Sequence, residues 1–540
     1  MPVITLYYDD LENLTGAKKE SIIEQIPMIG SDIERVEEDH IDIEFFPNRP
    51  DLYSVEGVAR AMRNFMEINL APKKYTVTPP NINITLTGEI ANVRPCIACA
   101  VIRNLNFTPH SIESLMNLQE SLHLSIGRNR KKASVGVHDL SRITQPLTYT
   151  TVSSDFAFAP LDFDKPMSMH KILEKHPKGV KFAHLLKHTH EYPLIRDAKH
   201  NVLSFPPIIN SELTRVTADT TGLFIEVTGL DGPCVNRALN IVVTALAERD
   251  TVIEGVNVNS ETSTTVTPDL TYTVRTMQTN EASKLLGIPL SSSDCAHALN
   301  RMGFNTTVNG DWIAVEIPPY RSDILHTYDL IEDIAIGYGY KNFPARLIGT
   351  ATIGASHESS VVKDTLSEIM IGLGYLEVMP FTLTNEMVHF NWMQRVPTDD
   401  VVYVENPISR DYTMLRTTLL QGLLKILAAN KHHELPQKIF EVGDVVKNKK
   451  NALHLAVISI HPKANYTEAK SLIDAIMREQ GQHCTVAESG DAAFIPHRCA
   501  DIYVQNRKVG IFGEIHPQVI QNFGLENPII AVEIEIIRGF

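Results

Sequence analysis

Apolar and polar residues alternate through Val3–Tyr8 and again through Ile41–Phe46, the period of a strand with one face buried. Between them the period changes to that of a helix over Ala17–Gln25. It does so again beyond Ser54, where Val55, Val58, Ala59, Met62 and Phe65 share one helical face and Ser54 is suited to cap it. The switching continues along the chain. A strand over Cys96–Ile102 precedes a helix over Ser111–Leu124, and a strand over Thr220–Gly229 enters a glycine turn before a helix over Val235–Glu248. Two short helices then end at Gly287 and Gly303, and a hairpin over Phe304–Ile317 turns at Asn309-Gly310. Further on come a long helix carrying Val361, Val362, Leu366, Ile369, Met370 and Leu373, a helix over Asp411–Ala429, and strands over Lys438–Val446, Lys508–His516 and Ile529–Ile537.

A chain of 540 residues is too long for one core, and the pattern divides it into α/β and α+β parts. The expected domains are 1–90, 91–265, 268–345 and 355–540, with a linker over 346–354. A net charge of −15 argues against coating nucleic acid through bulk charge, which leaves Gly127–Lys132 as the local place for phosphate contacts or simply a solvated loop. No apolar run approaches twenty residues and no signal peptide opens the chain, so a cytoplasmic protein is expected. Six scattered cysteines fit a reducing compartment. Cys96 and Cys99, on opposite faces of a strand, read as core residues.

Three groups of residues carry candidate chemistry. Asp329, Glu332 and Asp333 stand at i, i+3 and i+4 on one helical face, with Asp323 just upstream. Such a set suits a hard cation such as Mg2+, or else is an acidic first turn held by the helix dipole. Ser204, Asn210, Ser211, Glu226 and Thr228 are placed to line a polar pocket beside apolar walls, or to satisfy turns. Asn48, Arg49 and Asp51 read as a turn whose side chains satisfy backbone groups.

Pro318-Pro319, Tyr320–Ile324, Asp329–Asp333 and Tyr338-Gly339-Tyr340 together resemble the metal-binding module of phenylalanyl-tRNA synthetase (phenylalanine–tRNA ligase) beta subunits of the archaeal and eukaryotic type. The resemblance puts Asp323, Asp329, Glu332 and Asp333 on the family's Mg2+ positions, where the ion is structural. The phrase around Asn48–Asp51 is similar to the family's scaffold. Residues 91–265 look like its editing domain, which hydrolyses tRNA carrying tyrosine in place of phenylalanine. On that resemblance Glu226 accepts the tyrosine hydroxyl, Thr228 and Ser204 fix the ester or a water, and a positioned water attacks. Gly374–Pro380 behind its long helix resembles motif 1 of class II aminoacyl-tRNA synthetases, and Lys438–Val446 occupies the place of motif 2. Ile439 stands where a working motif 2 carries an arginine, and no glycine-rich turn ending in arginine follows. The fixed cations that a transferring phosphate requires are therefore missing.

The resemblance implies a multidomain fold. It comprises an editing-type α/β domain, a small helix-turn-helix-like metal module, and a class II-like antiparallel domain lacking the catalytic motifs. It also implies an α2β2 tetramer in which the alpha subunit adenylates phenylalanine with ATP and transfers it to tRNA(Phe). This chain then supplies the heterodimer interface, tRNA contacts, Mg2+ and editing. Neither a membrane nor DNA is expected as a partner, since the second helix of the module carries almost no basic residues. Read without the family, the residues leave two other functions open. One is a Mg2+-dependent phosphoryl-transfer enzyme, for which only Arg321 and Lys341 lie close by. The other is a non-enzymatic scaffold.

Overall fold

A computed structural model describes residues 2–70, 73–347, 349 and 352–536. Linker residues 348, 350 and 351 and the expected last strand residue, Ile537, lie outside the described residues. The chain forms two compact units, Met1–Leu347 and Ile348–Phe540.

The first unit opens with a three-stranded antiparallel sheet in which His40–Phe45 lies between Val3–Tyr7 and Ser31–Val36. Alternation works as the sequence indicates: Ile41, Ile43 and Phe45 are buried, and helix Val55–Phe65 is capped by Ser54 Oγ, which accepts from the Gly57 amide at 3.2 Å. A ten-stranded sheet follows. Its centre is Cys96–Arg103 flanked by Gly222–Gly229 and Val252–Asn259, and Gly222–Gly229 also pairs with Ala133–Asp139. Strand Val77–Leu86 belongs to this sheet, paired in parallel with Val252–Asn259 and Leu147–Val152, so a domain boundary at 90 cuts through it. Pro79 and Pro80 in that strand mask its β signal because neither donates to a ladder. Helix Gly232–Leu246 packs on the face carrying Ile225 and Val227, and the opposite face carries Phe224, Glu226 and Thr228.

Strands Thr273–Gln278, Trp312–Ile317 and Asn305–Asn309 complete a third sheet, with helices Thr279–Leu286, Ser292–Arg301 and Thr327–Tyr338. A buried ionic cluster stitches these helices to the scaffold. Arg49 donates to both oxygens of Asp51 at 2.8 and 2.9 Å, and the Arg60 guanidinium lies 3.5 Å over the Tyr320 ring. The turn around Arg49 and Asp51 is thus an ion pair. The sequence reading, in which those side chains satisfy backbone groups, is corrected here. With both residues buried, each charge is met by its neighbour.

The second unit is a seven-stranded sheet in the order Leu376–Glu377, Gln437–Lys447, Lys450–Ile460, Ile529–Glu535, Arg507–Ile515, Phe494–Val504, Thr485–Glu488. All of its pairs are antiparallel except the first. Helices Glu358–Gly372 and Tyr466–Glu479 cover one face and Leu420–Ala429 the other. The helix expected from Asp411 begins only at Leu420. Met414–Leu415 pairs with Leu383–Thr384, and Arg416 is drawn into a buried pair with Glu441, which holds this stretch extended.

Candidate functional site

On the first unit a cavity of about 440 Å³ opens beside the strand Gly222–Gly229. Val135, Val137, Phe205, Pro207 and Ile209 supply apolar wall, and Glu226, Asn210 and Ser211 supply polar groups. A mostly apolar cleft with a few fixed polar groups is the usual form of a small-ligand site.

Glu226 is its chemical centre. Strand alternation turns the side chain away from helix Gly232–Leu246, and it is 2 % exposed. Oε1 accepts from Ser204 Oγ at 3.0 Å and lies 4.0 Å from His138 Nε2, while Oε2 and His138 Nε2 have no hydrogen-bond partner. His138 Nδ1 is held by Thr214 Oγ1 at 2.8 Å. Buried polar atoms are rarely left unpaired, so an unpartnered carboxylate oxygen on Glu226 and an unpartnered nitrogen on the neighbouring His138 mark a place for a ligand's polar group.

Gly136 sits directly opposite Glu226 in the ladder. A Cβ there would lie 2.9 Å from Glu226 Cδ, closer still to Oε1, and 3.1 Å from His138 Nε2. Only glycine leaves room for the carboxylate at this position. Sequence reasoning missed Gly136, His138 and Thr214. The available signal was a glycine inside an otherwise apolar strand, which marks close approach of another group.

The five expected residues divide. Glu226, Asn210 and Ser211 line the cavity. Ser204 stands behind Glu226 as its donor. Thr228 is fully buried: its Oγ1 accepts from Arg94 Nε at 3.0 Å and meets Ser134 Oγ at 3.2 Å. Asn210 Nδ2 donates to the Val137 carbonyl at 3.2 Å, which ties the strand Ile209–Asn210 to the cavity's far wall.

Of the basic run Gly127–Lys132, Arg130 lines the cavity. Arg128, Asn129 and Arg130 all have positive φ (50°, 54° and 66°), a strained conformation for side-chain-bearing residues. The turn drives Arg130 inward. Its Nη1 donates to the carbonyls of Pro207 and Ile208 at 3.2 and 2.9 Å, and its Nη2 to Glu120 Oε1 at 2.8 Å. Burial works to raise the Glu120 carboxyl, but the His123 ring and the Arg130 charge outweigh it and hold Glu120 well below the usual carboxylate range.

In the third sheet's module the four candidate metal residues are dispersed. Asp323 accepts Arg321 Nε and Nη2 at 2.9 and 2.6 Å, and Asp333, buried, accepts Arg321 Nη2 at 2.6 Å. Burial pushes the Asp333 carboxyl up to about 6, against the pull of Arg321. Asp329 Oδ2 accepts the amides of Leu325 and His326 at 2.7 and 2.6 Å, and Glu332 is exposed. Among the described residues no three His, Cys, Asp or Glu side chains gather closely enough to hold a metal ion. By chemistry the donor set, oxygen throughout, still fits a hard cation.

In the second unit Glu441 is buried and accepts Arg416 Nη2 at 2.6 Å. Leu376, Met379, Phe381, Met387, Val396 and Ile408 are apolar side chains left exposed.

Family models match three stretches: "Phenylalanyl tRNA synthetase beta chain CLM domain" at 343–536, "tRNA synthetase B5 domain" at 275–340 and "B3/4 domain" at 89–245. The phenylalanine–tRNA ligase beta subunit of Methanococcoides burtonii is 54 % identical over 539 residues, covering 99 % of this chain and 100 % of that protein. Its counterpart in Archaeoglobus fulgidus is 48 % identical over 542 residues, covering 100 % and 99 %. A crystal structure of an N-terminal fragment of the phenylalanyl-tRNA synthetase beta subunit from Pyrococcus horikoshii superposes with a TM-score of 0.61 at 34 % identity, covering 62 % of this chain and 99 % of the fragment.

Proposed function

We infer function from one premise: this chain belongs to the family of phenylalanine–tRNA ligase beta subunits. Its role is the beta-subunit part in charging tRNA with phenylalanine, and its partners are an alpha subunit and tRNA. We propose an α2β2 assembly in which the alpha subunit carries adenylation, using ATP. In support, the second unit has Ile439 where a phosphate-clamping arginine would stand, and its only buried arginine near Glu441 among the described residues is Arg416, bonded to that glutamate. The exposed apolar side chains Met379, Phe381 and Ile408 suit an obligate subunit contact, which buries large apolar areas.

The cavity beside Glu226 is proposed as an editing site that hydrolyses tyrosine from tRNA(Phe). The observation that carries this reading is the unpartnered Glu226 Oε2 in an apolar cleft. A tyrosine hydroxyl donates to it, whereas bound phenylalanine leaves it unpaired, and a site built this way rejects the analogue by a factor of roughly 10⁴. Water adds across the ester: its oxygen bonds the acyl carbon, the bond to the ribose oxygen breaks, and that oxygen takes a proton. Tyrosine then leaves as the free acid.

The test is deacylation of tyrosyl-tRNA(Phe) and phenylalanyl-tRNA(Phe) by the assembled complex. Glu226→Gln should lower tyrosyl hydrolysis about a hundredfold with phenylalanine charging retained. Equal hydrolysis by wild type and variant would remove Glu226 from the reaction.

A structural Mg2+ held by Asp329, Glu332, Asp323 and Asp333 is also proposed. Its support is the oxygen-only donor chemistry. Arg321 already neutralises part of that charge, so the ion adds stability to the module rather than supplying a catalytic centre.

A further inference from the structure

The chain carries −15 overall, yet between residues 165 and 190 there are six lysines and one acidic residue, Glu174. This segment forms helices Met169–Lys175 and Pro177–Phe182 and a following 3-10 turn. Its apolar side, through Ile172, Phe182 and Leu186, packs against Phe205, Ile208 and Ile209, the wall of the Glu226 cavity. Its other side is cationic. Lys171, Lys175, Lys181 and Lys187 are exposed, and among the described residues none has an acidic partner.

The segment meets the strained turn directly. Lys178 Nζ and Arg130 Nη2 share Glu120 Oε1, at 3.1 and 2.8 Å, and the Arg130 guanidinium lies 4.5 Å over the Phe182 ring. Arg128 and Lys131 are exposed on that turn, on either side of Arg130, and Arg130 and Lys178 line the cavity. Phe163 stands beside it with 38 % of its surface exposed and its ring 5.2 Å from His176.

Unpaired cations on one short segment, with an exposed aromatic ring against it, are what a single-stranded nucleic acid requires: charge for the phosphates and a face on which a base can stack. We propose that the face formed by Phe163, Lys171, Lys175, Lys181, Lys187 and the Arg128–Lys131 turn docks the single-stranded 3′ end of the tRNA and feeds it to the cavity beside Glu226. What the cavity does with that end rests on the editing reading above.

The probe is an acceptor-stem minihelix with a fluorescent label, made with a single-stranded 3′ tail and without it. It is titrated with the assembled complex across a range of KCl concentrations. Changing Lys171, Lys175, Lys181 and Lys187 together to Gln should weaken binding of the tailed probe at least about tenfold and reduce its log–log salt slope by about 3, near 0.7 per lost phosphate contact. Binding of the blunt probe should not change. Phe163→Ala should weaken the tailed probe several-fold with the slope unaltered, because stacking releases no counterions. An unchanged slope in the four-lysine variant overturns the proposal, as does equal weakening of tailed and blunt probes, which would make the face a duplex-binding surface. The readout is binding alone. A wild type that binds the tail and hydrolyses nothing would refute the editing reading only, and one that hydrolyses while its slope ignores these lysines would refute the docking face only.

Discussion

Gly136→Ala tests the geometry of the cavity with a single methyl group. The added Cβ would fall within 2.9 Å of Glu226 Cδ and nearer to Oε1. To restore ordinary contact the carboxylate must withdraw by about 1 Å, since dispersion contacts sit near 3.5 Å. It cannot do so freely, because Ser204 Oγ holds Oε1 at 3.0 Å and the Glu226 side chain is buried among its strand neighbours. Overpacking of this kind costs about 1–3 kcal/mol, an amount a large first unit survives. The functional cost is of similar size in energy but shows directly in the rate, because a misplacement near 1 Å lowers a positioned reaction about a hundredfold. Tyrosyl-tRNA(Phe) hydrolysis should therefore fall by about that factor, while phenylalanine charging by the same complex keeps its rate. The assay is single-turnover deacylation, with a thermal melt to show that the unit is folded. A folded Gly136→Ala complex that deacylates like the wild type would refute Glu226 as the group that receives the tyrosine hydroxyl.

Mg2+ should raise the melting temperature of the complex and a chelator should reverse it. Asp329→Ala should abolish that response and cost about 1 kcal/mol through the lost cap on the Leu325 and His326 amides, with charging retained; specific loss of adenylation would contradict a structural ion. Arg416→Met leaves Glu441 buried without its partner and should destabilise the second unit by about 3–5 kcal/mol, most of it regained in Arg416→Met/Glu441→Leu. Failure of the double variant to recover would mean the pair does more than neutralise itself. Burial lowers the His389 ring to about 4, against about 6.5 unfolded, so its contribution is fully present above pH 6.5 and is lost as the pH falls toward 4. By pH 5 the loss is about 2 kcal/mol, and urea midpoints of His389→Gln should be correspondingly flatter over that range. Parallel pH profiles would show that the ring titrates normally.

Periodicity alone reveals most strands and helices of the first unit, because Ile41, Ile43 and Phe45 or Ile225 and Val227 alternate around buried faces. It fails where a tertiary partner overrides local preference. Strand Val77–Leu86 contains two prolines and still joins the large sheet, and Met414–Leu415 is a strand within the expected helix, next to Arg416 held by Glu441. The candidate cavity was half legible. Glu226, Asn210 and Ser211 announce themselves as polar residues in apolar company, whereas His138 looks like one more residue of a buried strand and Gly136 gains meaning only when Glu226 is seen across the ladder. Spacing also placed Asp329, Glu332 and Asp333 on one face. The helix instead straddles the surface there, with Asp333 inside on Arg321 and Glu332 in solvent.

The central claim is that this chain needs an alpha subunit to charge tRNA. It is tested by measuring phenylalanine attachment to tRNA(Phe) with the purified chain alone and again with its alpha partner, sizing each sample by light scattering. The chain alone should attach no phenylalanine, and a four-chain complex should charge fully. Charging by the isolated chain would contradict that expectation, because an adenylation site would then exist in a unit whose motif 2 position holds Ile439 and whose buried Glu441 is tied to Arg416.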